Sequence, residues 1–180
     1  AKFGSIKRVA CLRDADSFKR NLNLYVISED EAGTLVRTND TIKRNLSVWL
    51  NHGRMVNDTV DIVDAFIVNI GIEFSIVVDD MNNKFDILTL ANESVRRLFV
   101  IEKEIGEPLY LSEIYTTLSN IDGVVDVKSV NPVTKVGSPY SNISFDVDQN
   151  MTFDRRVLTT PPTHILEVKY PAVDISGRIE

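Results

Sequence analysis

From Phe66 to Val78 an apolar side chain falls at every second position: Phe66, Val68, Ile70, Ile72, Phe74, Ile76 and Val78. Between them stand Ile67, Asn69, Gly71, Glu73, Ser75 and Val77, a mixed set that includes a charge. Strict alternation predicts a β-strand with one face buried and the other partly wet. At ~3.3 Å per residue such a strand runs to about 43 Å, well past the usual five or six residues. It therefore needs a sheet to pair in and a layer of helices to cover it.

The flanking segments supply both. Ser5–Leu12 and Asn21–Ser28 read as strands joined by a polar connector, Arg13–Arg20, and the acidic turn Glu29-Asp30-Glu31-Ala32-Gly33 breaks the pattern. A first helix follows, capped by Thr38, Asn39 or Asp40, with Ile42, Leu46, Trp49 and Leu50 on one stripe and Gly53 placed for a left-handed end. Trp49 on that stripe reads as core. After Val60–Val63 and the long strand, the turn Asp79–Asn83 leads to a helix over Lys84–Glu104. Phe85, Leu88, Val95, Leu98 and Phe99 track one face of it, and Gly106 stops it. Glu107–Leu111 is an extended link. A short helix from Ser112 then carries Ile114, Tyr115, Leu118 and Ile121, and a strand over Val124–Val130 sets Val125 and Val127 on one face.

The order strand, helix, link, helix, strand predicts an α+β fold with helices packed on one face of a sheet. The pattern leaves open whether the two strands run parallel or antiparallel. The expected organisation is an N-terminal α+β segment (1–65), a central α+β domain (66–131) and a C-terminal loop and strand extension (132–180). In the extension, Pro132–Asn142 reads as a loop, Ile143–Val147 alternates briefly, and Thr159–Thr163 is a stiff hinge. His164–Tyr170 reads as a last strand, with Glu167 and Lys169 discouraging stray pairing at an edge. The candidate docking residues lie there: His164, Ile165, Leu166, Val168 and Tyr170, together with the excursion Asn131–Pro162. Loops and sheet edges reach partners most readily.

Chemistry is harder to find. With 180 residues, 43% hydrophobic, 26% charged and a net charge of −6, the chain is ordinary for a globular protein. It lacks the basic face that a phosphate backbone requires, so no nucleic-acid partner is expected; Arg96-Arg97 and Arg155-Arg156 are its only adjacent arginine pairs. No apolar run approaches the ~20 residues of a membrane span, so no membrane partner is expected, and no signal-peptide pattern is visible. Ala1 in place of Met predicts a processed product or a piece of a longer chain. Cys11, the sole cysteine, excludes an intramolecular disulfide and reads as a small core residue.

Asp58, Asp61 and Asp64, followed by Asp79 and Asp80, raise the question of a divalent cation. An EF-hand loop beginning at Asp80 has Asn82 in place but fails at Lys84 and Phe85, so no metal site is assigned. No nucleophile elbow or phosphate-cradling glycine loop occurs, and His52 and His164 read as structural. No catalytic residue and no cofactor is expected; the chain is not read as an enzyme. The Asn-x-Ser/Thr triplets at Asn45, Asn57, Asn92, Asn142 and Asn150 carry little weight without a secretion signal.

Three segments taken in order are informative as a set: Asn21–Ser28; Leu50-Asn51-His52-Gly53-Arg54-Met55-Val56-Asn57-Asp58 running on to Ala65; and Gly106-Glu107-Pro108-Leu109-Tyr110-Leu111-Ser112-Glu113-Ile114-Tyr115, ending at Gly123-Val124-Val125-Asp126-Val127. The series resembles the baseplate J-like family of contractile phage tails, and more narrowly the C-terminal part of the wedge subunits of T-even-type phages. It covers roughly Ile6 to Asn131. The resemblance implies a viral structural protein of the virion's tail baseplate, assembled in the host cytoplasm. Its partners would be itself, as a dimer or ring contact at micromolar concentration, and the neighbouring wedge proteins around the tail hub. Two other classes stand beside it: a small α+β regulatory module that binds a metabolite, and a divalent-metal-dependent enzyme using the aspartates above.

Overall fold

The computed structural model describes residues 5–14, 21–53, 59–79, 83–101 and 103–180. The chain has an α+β fold and divides into two compact units. The first holds residues up to Ile67 with Glu104–Gly106 and Pro161–Ile165; the second holds Val68–Lys103, Glu107–Thr160 and Leu166–Glu180. The 66–131 and 132–180 segments of the sequence thus both contribute mainly to the second unit.

In the first unit β1 (Ile6–Arg13) and β2 (Asn21–Glu29) run antiparallel, with Val9 opposite Val26 and Cys11 opposite Leu24. On the other side of β2 lie β3 (Leu35–Val36), antiparallel, and β4 (Thr59–Asp64), parallel. The acidic turn before β3 is closed by Asp30, whose carboxylate accepts from Ala32 N, Thr34 N and the Thr34 hydroxyl. Helix α1 (Asp40–Asn51) starts at Asn39, whose side-chain oxygen accepts from Thr41 N at 2.8 Å. Lys43 ties α1 to β4 through Asp64 at 2.9 Å. Ile27, Ala65 and Ile165 form this unit's small core, joined by Tyr25, Leu35, Ile67 and Ile105.

Three expectations fail here. Trp49 is 51% exposed, and of its stripe only Leu46 is buried, because the cover that α1 finds along β4 is narrower than its apolar face. Gly53 does not form a left-handed cap; the helix ends at His52, whose ring Nδ1 lies 2.7 Å from Val48 O. Cys11 is exposed, since β1 is an outer strand whose Val9–Cys11 row faces outward.

The second unit is built on β5 (Phe66–Val78), whose extent matches the alternation. β7 (Val124–Thr134) runs antiparallel along one side of it. β10 (Ile175–Ile179) lies parallel along the other, and β9 (His164–Glu167) also pairs with β5. The strand pair left open by the pattern is therefore antiparallel. Helices α2 (Lys84–Leu98) and α3 (Leu111–Ser119) pack against β10 and β7. Val68, Ile70, Ile72, Phe74 and Ile76 meet Ile87, Ala91 and Val95 of α2 and Leu111, Ile114 and Leu118 of α3 in one apolar core. Burying each valine, leucine, isoleucine or phenylalanine of this set contributes about 1.5–3 kcal/mol. A ribbon of β6 (Leu109–Tyr110) and β8 (Val157–Leu158) and two single turns, α4 (Val147–Asn150) and α5 (Pro171–Asp174), complete the unit.

The second face of β5 is drier than alternation predicts: Asn69, Gly71 and Ser75 are buried and only Glu73 is exposed. The cover comes from the C-terminal third. Asn69 accepts from Ser141 N at 2.8 Å and donates to Glu167 at 2.6 Å, and a Cβ on Gly71 would meet the Asp174 carbonyl oxygen at 2.8 Å. Part of the expected loop excursion therefore folds back over the sheet.

Other boundaries shift for local reasons. α2 ends at Leu98, where Phe99 N turns back to Arg96 O; its buried stripe is Ile87, Ala91 and Val95, leaving Phe85 81% exposed in the first turn. Gly106, at φ +79°, lies against Pro162 in the first unit and does not cap α2. Register shifts in β7 part Val125, exposed, from Val127, buried. Ile143–Val147 is not a strand; Phe145 plugs the core and its carbonyl accepts from the Thr134 hydroxyl. The final strand stops at Glu167, and β10 beyond it has no counterpart in the sequence reading. No helix among the described residues is long and apolar enough to cross a membrane.

Candidate functional site

The predicted docking strand is mostly consumed by the fold. Successive side chains of a strand point to opposite faces, so neighbouring Ile165 and Leu166 enter different cores, the first unit's and the second's, at 0% and 4% exposure. Neither has surface to offer a partner. His164 is partly buried, its ring centroid 4.9 Å from that of Phe66 and its Nδ1 2.9 Å from the Thr163 hydroxyl. Burial pushes its pKa below the ordinary histidine value, which favours the neutral ring. Val168 packs partly buried on the second core. Tyr170 is the exposed member, edge-on to Tyr140 at 5.7 Å between centroids.

The outer strands of the second unit are also guarded. Along β7 the Val127 amide donates to the Asp126 carboxylate at 2.8 Å, the Val130 amide donates to the Tyr115 hydroxyl at 3.1 Å, and Pro132 has no amide hydrogen. On β10 the Gly177 amide donates to the Asn92 side chain at 3.0 Å. Strand addition needs free amides in a row, so these edges resist it.

The described aspartates do not converge. Asp58, Asp80 and Asn82 lie outside the described residues. Asp61 and Asp64, three apart on β4, point to opposite faces of the sheet. Asp61 accepts from Asn21 at 2.7 Å; Asp64 takes Lys43 at 2.9 Å and Arg37 at 3.6 Å. The Asp64 hydrogen bond, and after it that of Asp40, raises the Lys43 pKa. Among the described residues no group of three or more His, Cys, Asp or Glu side chains is placed to hold a metal ion.

What the fold does assemble is a projecting loop beside a cleft. Ser112, Tyr115 and Thr116 of α3 face Asp154, Arg155 and Arg156 across a cleft of about 450 Å³. The loop is closed by its own polar groups: Arg155 N donates to Thr152 O at 2.8 Å, the Thr152 hydroxyl donates to Asp154 at 2.6 Å, and Val157 N donates to that hydroxyl at 3.1 Å. The Thr152 bond, reinforced by the Arg156 amide, lowers the Asp154 pKa. Leu111 N at the start of α3 donates to Arg156 O at 2.8 Å, fixing loop to helix. Phe153 stands at the tip, fully exposed, and Arg155 adopts φ +54°. The one sequence signal for this site was the Arg155-Arg156 pair inside the Asn131–Pro162 excursion.

A second, smaller hollow of about 100 Å³ lies on the open part of the second sheet face, where Glu73, Ser129, Asn131, Ser176 and Arg178 line it. Nearby, the Lys128 ammonium, 2.6 Å from Glu180, holds that carboxylate's pKa below its usual value. No protein-family model matches this chain, and no curated protein matches it.

Proposed function

We propose that the chain is a structural component of a contractile-tail baseplate, the C-terminal part of a wedge subunit, whose work is contact with its own copies and with neighbouring baseplate proteins. The observation that carries this reading is the ordered series of three segments between Asn21 and Val127 that resembles the baseplate J-like family. The surface is consistent with it. Phe85, Val100, Ile101 and Phe153 are each more than 75% exposed in the second unit, and Trp49 is half exposed in the first. Exposed aromatic and aliphatic side chains are what protein contacts bury at their centres.

In this reading no bond is made or broken on the chain. A useful contact would bury at least ~1,000 Å². Light scattering across nanomolar to high micromolar concentration provides the test. The expected result is a species heavier than the 20.3 kDa protomer at micromolar concentration, together with co-assembly when the proteins of adjacent tail genes are added. A strictly monomeric chain that ignores those proteins would overturn the proposal.

A further inference from the structure

We propose that the Thr152–Arg156 loop of one copy docks head to tail on the acidic turn Glu29–Glu31 of a second copy. This rests on the reading above and names the contact through which self-association would run.

The loop has the composition and rigidity of a docking knob. Phe153 is the most exposed large apolar side chain among the described residues, and arginine flanks it at 155 and 156. Aromatic residues and arginine dominate the energetics of protein contacts. Because the loop is closed by the Thr152 and Asp154 hydrogen bonds, presenting that ring costs little further ordering. Arg156 makes no ion pair among the described residues. The partner of Arg155 is Asp148 at 3.0 Å, itself 81% exposed, and such a surface pair is weak enough to exchange. Arg155 also occupies a backbone region that glycine enters more easily. A residue under that strain, with its charge displayed, fits selection for the surface over the turn.

Charge complementarity points to a second copy. The chain is net −6, and Glu29-Asp30-Glu31 is its only run of three consecutive acids. Glu29 is largely buried and pairs with Lys7 at 3.4 Å, and Asp30 locks that turn from within, so Glu31, exposed and with no ion pair among the described residues, is the charge the knob would meet. Knob and acidic turn are different patches of the same chain. Made head to tail, without the reciprocal contact of a two-fold dimer, this contact is heterologous, the kind that closes rings or grows open chains.

Sedimentation velocity on the wild type, Arg156→Glu, Glu31→Lys and their mixture tests this. Each single variant should raise the self-association dissociation constant at least tenfold, as should raising salt from about 0.05 to 0.5 M. Mixing the two variants should restore association into alternating assemblies, because the native pair and the charge-swapped pair are both complementary; the double variant, which has only the swapped pair, should associate again. Phe153→Ser, at a side chain with no packing to lose, gives the same reading should a charge reversal not fold. Arg155→Gly should raise the melting temperature while weakening association. If the variants assemble like the wild type, the contact is wrong and self-assembly stands. If the mixture fails to rescue, the head-to-tail geometry is wrong. A wild type that stays monomeric throughout sinks both the contact and the self-association behind it.

Discussion

The Tyr140 hydroxyl donates a 2.6 Å hydrogen bond to the carboxylate of Asp174, a side chain only 2% exposed, whose other oxygen accepts from Tyr170 N at 2.8 Å. This pair fastens the returning C-terminal segment over β5. Tyr140→Phe leaves a buried carboxylate oxygen without its donor, and a loss of about 1–3 kcal/mol in denaturant unfolding is expected.

The same pair sets an alkaline limit. The Asp174 hydrogen bond, then burial, pushes the Tyr140 pKa up to about 12 from an ordinary value of 10.0. Folding therefore favours the protonated phenol. Its contribution is complete below pH 10, where both states are protonated, and is lost as pH rises from 10 through 12. Stability measured over that window should fall in the wild type and fall less steeply in Tyr140→Phe; equal slopes would show that this phenol is not the group responsible.

Two glycines hold the second unit's sheet to its covers. A Cβ at Gly177 would come 2.4 Å from the ring of Phe74, a core residue that has nowhere to move. Gly177→Ala should cost about 2–3 kcal/mol by overpacking. At Gly71 the flexible end of Lys135 can yield but the Asp174 carbonyl oxygen cannot, so Gly71→Ala should cost about 1–2 kcal/mol. Urea midpoints rank the two.

Tyr115→Phe removes the acceptor of the Val130 amide and opens the guarded edge of β7. Stability should drop by about 1 kcal/mol. Hydrogen exchange at Val130 should accelerate while Val127, capped by Asp126, keeps its rate; the variant should also precipitate sooner on storage.

Cys11 and Trp49 offer a direct check on surface placement. The native protein should titrate one thiol with an aromatic disulfide reagent at close to the rate of a free cysteine. Acrylamide should quench its single indole before unfolding. Slow thiol reaction or a shielded indole would mean that β1 and α1 are covered in solution, as they would be in an assembled form.

Local physics was legible in the sequence wherever one element answers to its own residues. The limits of β5 follow from alternation, the start of α1 from the capping run Thr38–Asp40, and the apolar face of α3 from Ile114 and Leu118. The Arg155-Arg156 pair was visible too, though nothing in its neighbours said that Thr152 and Asp154 would lock it into a projecting knob. Periodicity says which side chains share a face; it does not say what arrives to cover that face. Trp49 lies on a proper helical stripe and still meets solvent, whereas Asn69 and Gly71, on the strand's supposedly wet side, are sealed by Ser141 and Asp174 from far along the chain. Ile165 and Leu166 read as an edge and became core for the same reason. The sequence determined the elements and their apolar faces; only the tertiary structure decided which faces find a partner, because burial depends on contacts between distant segments whose pairing no local pattern encodes.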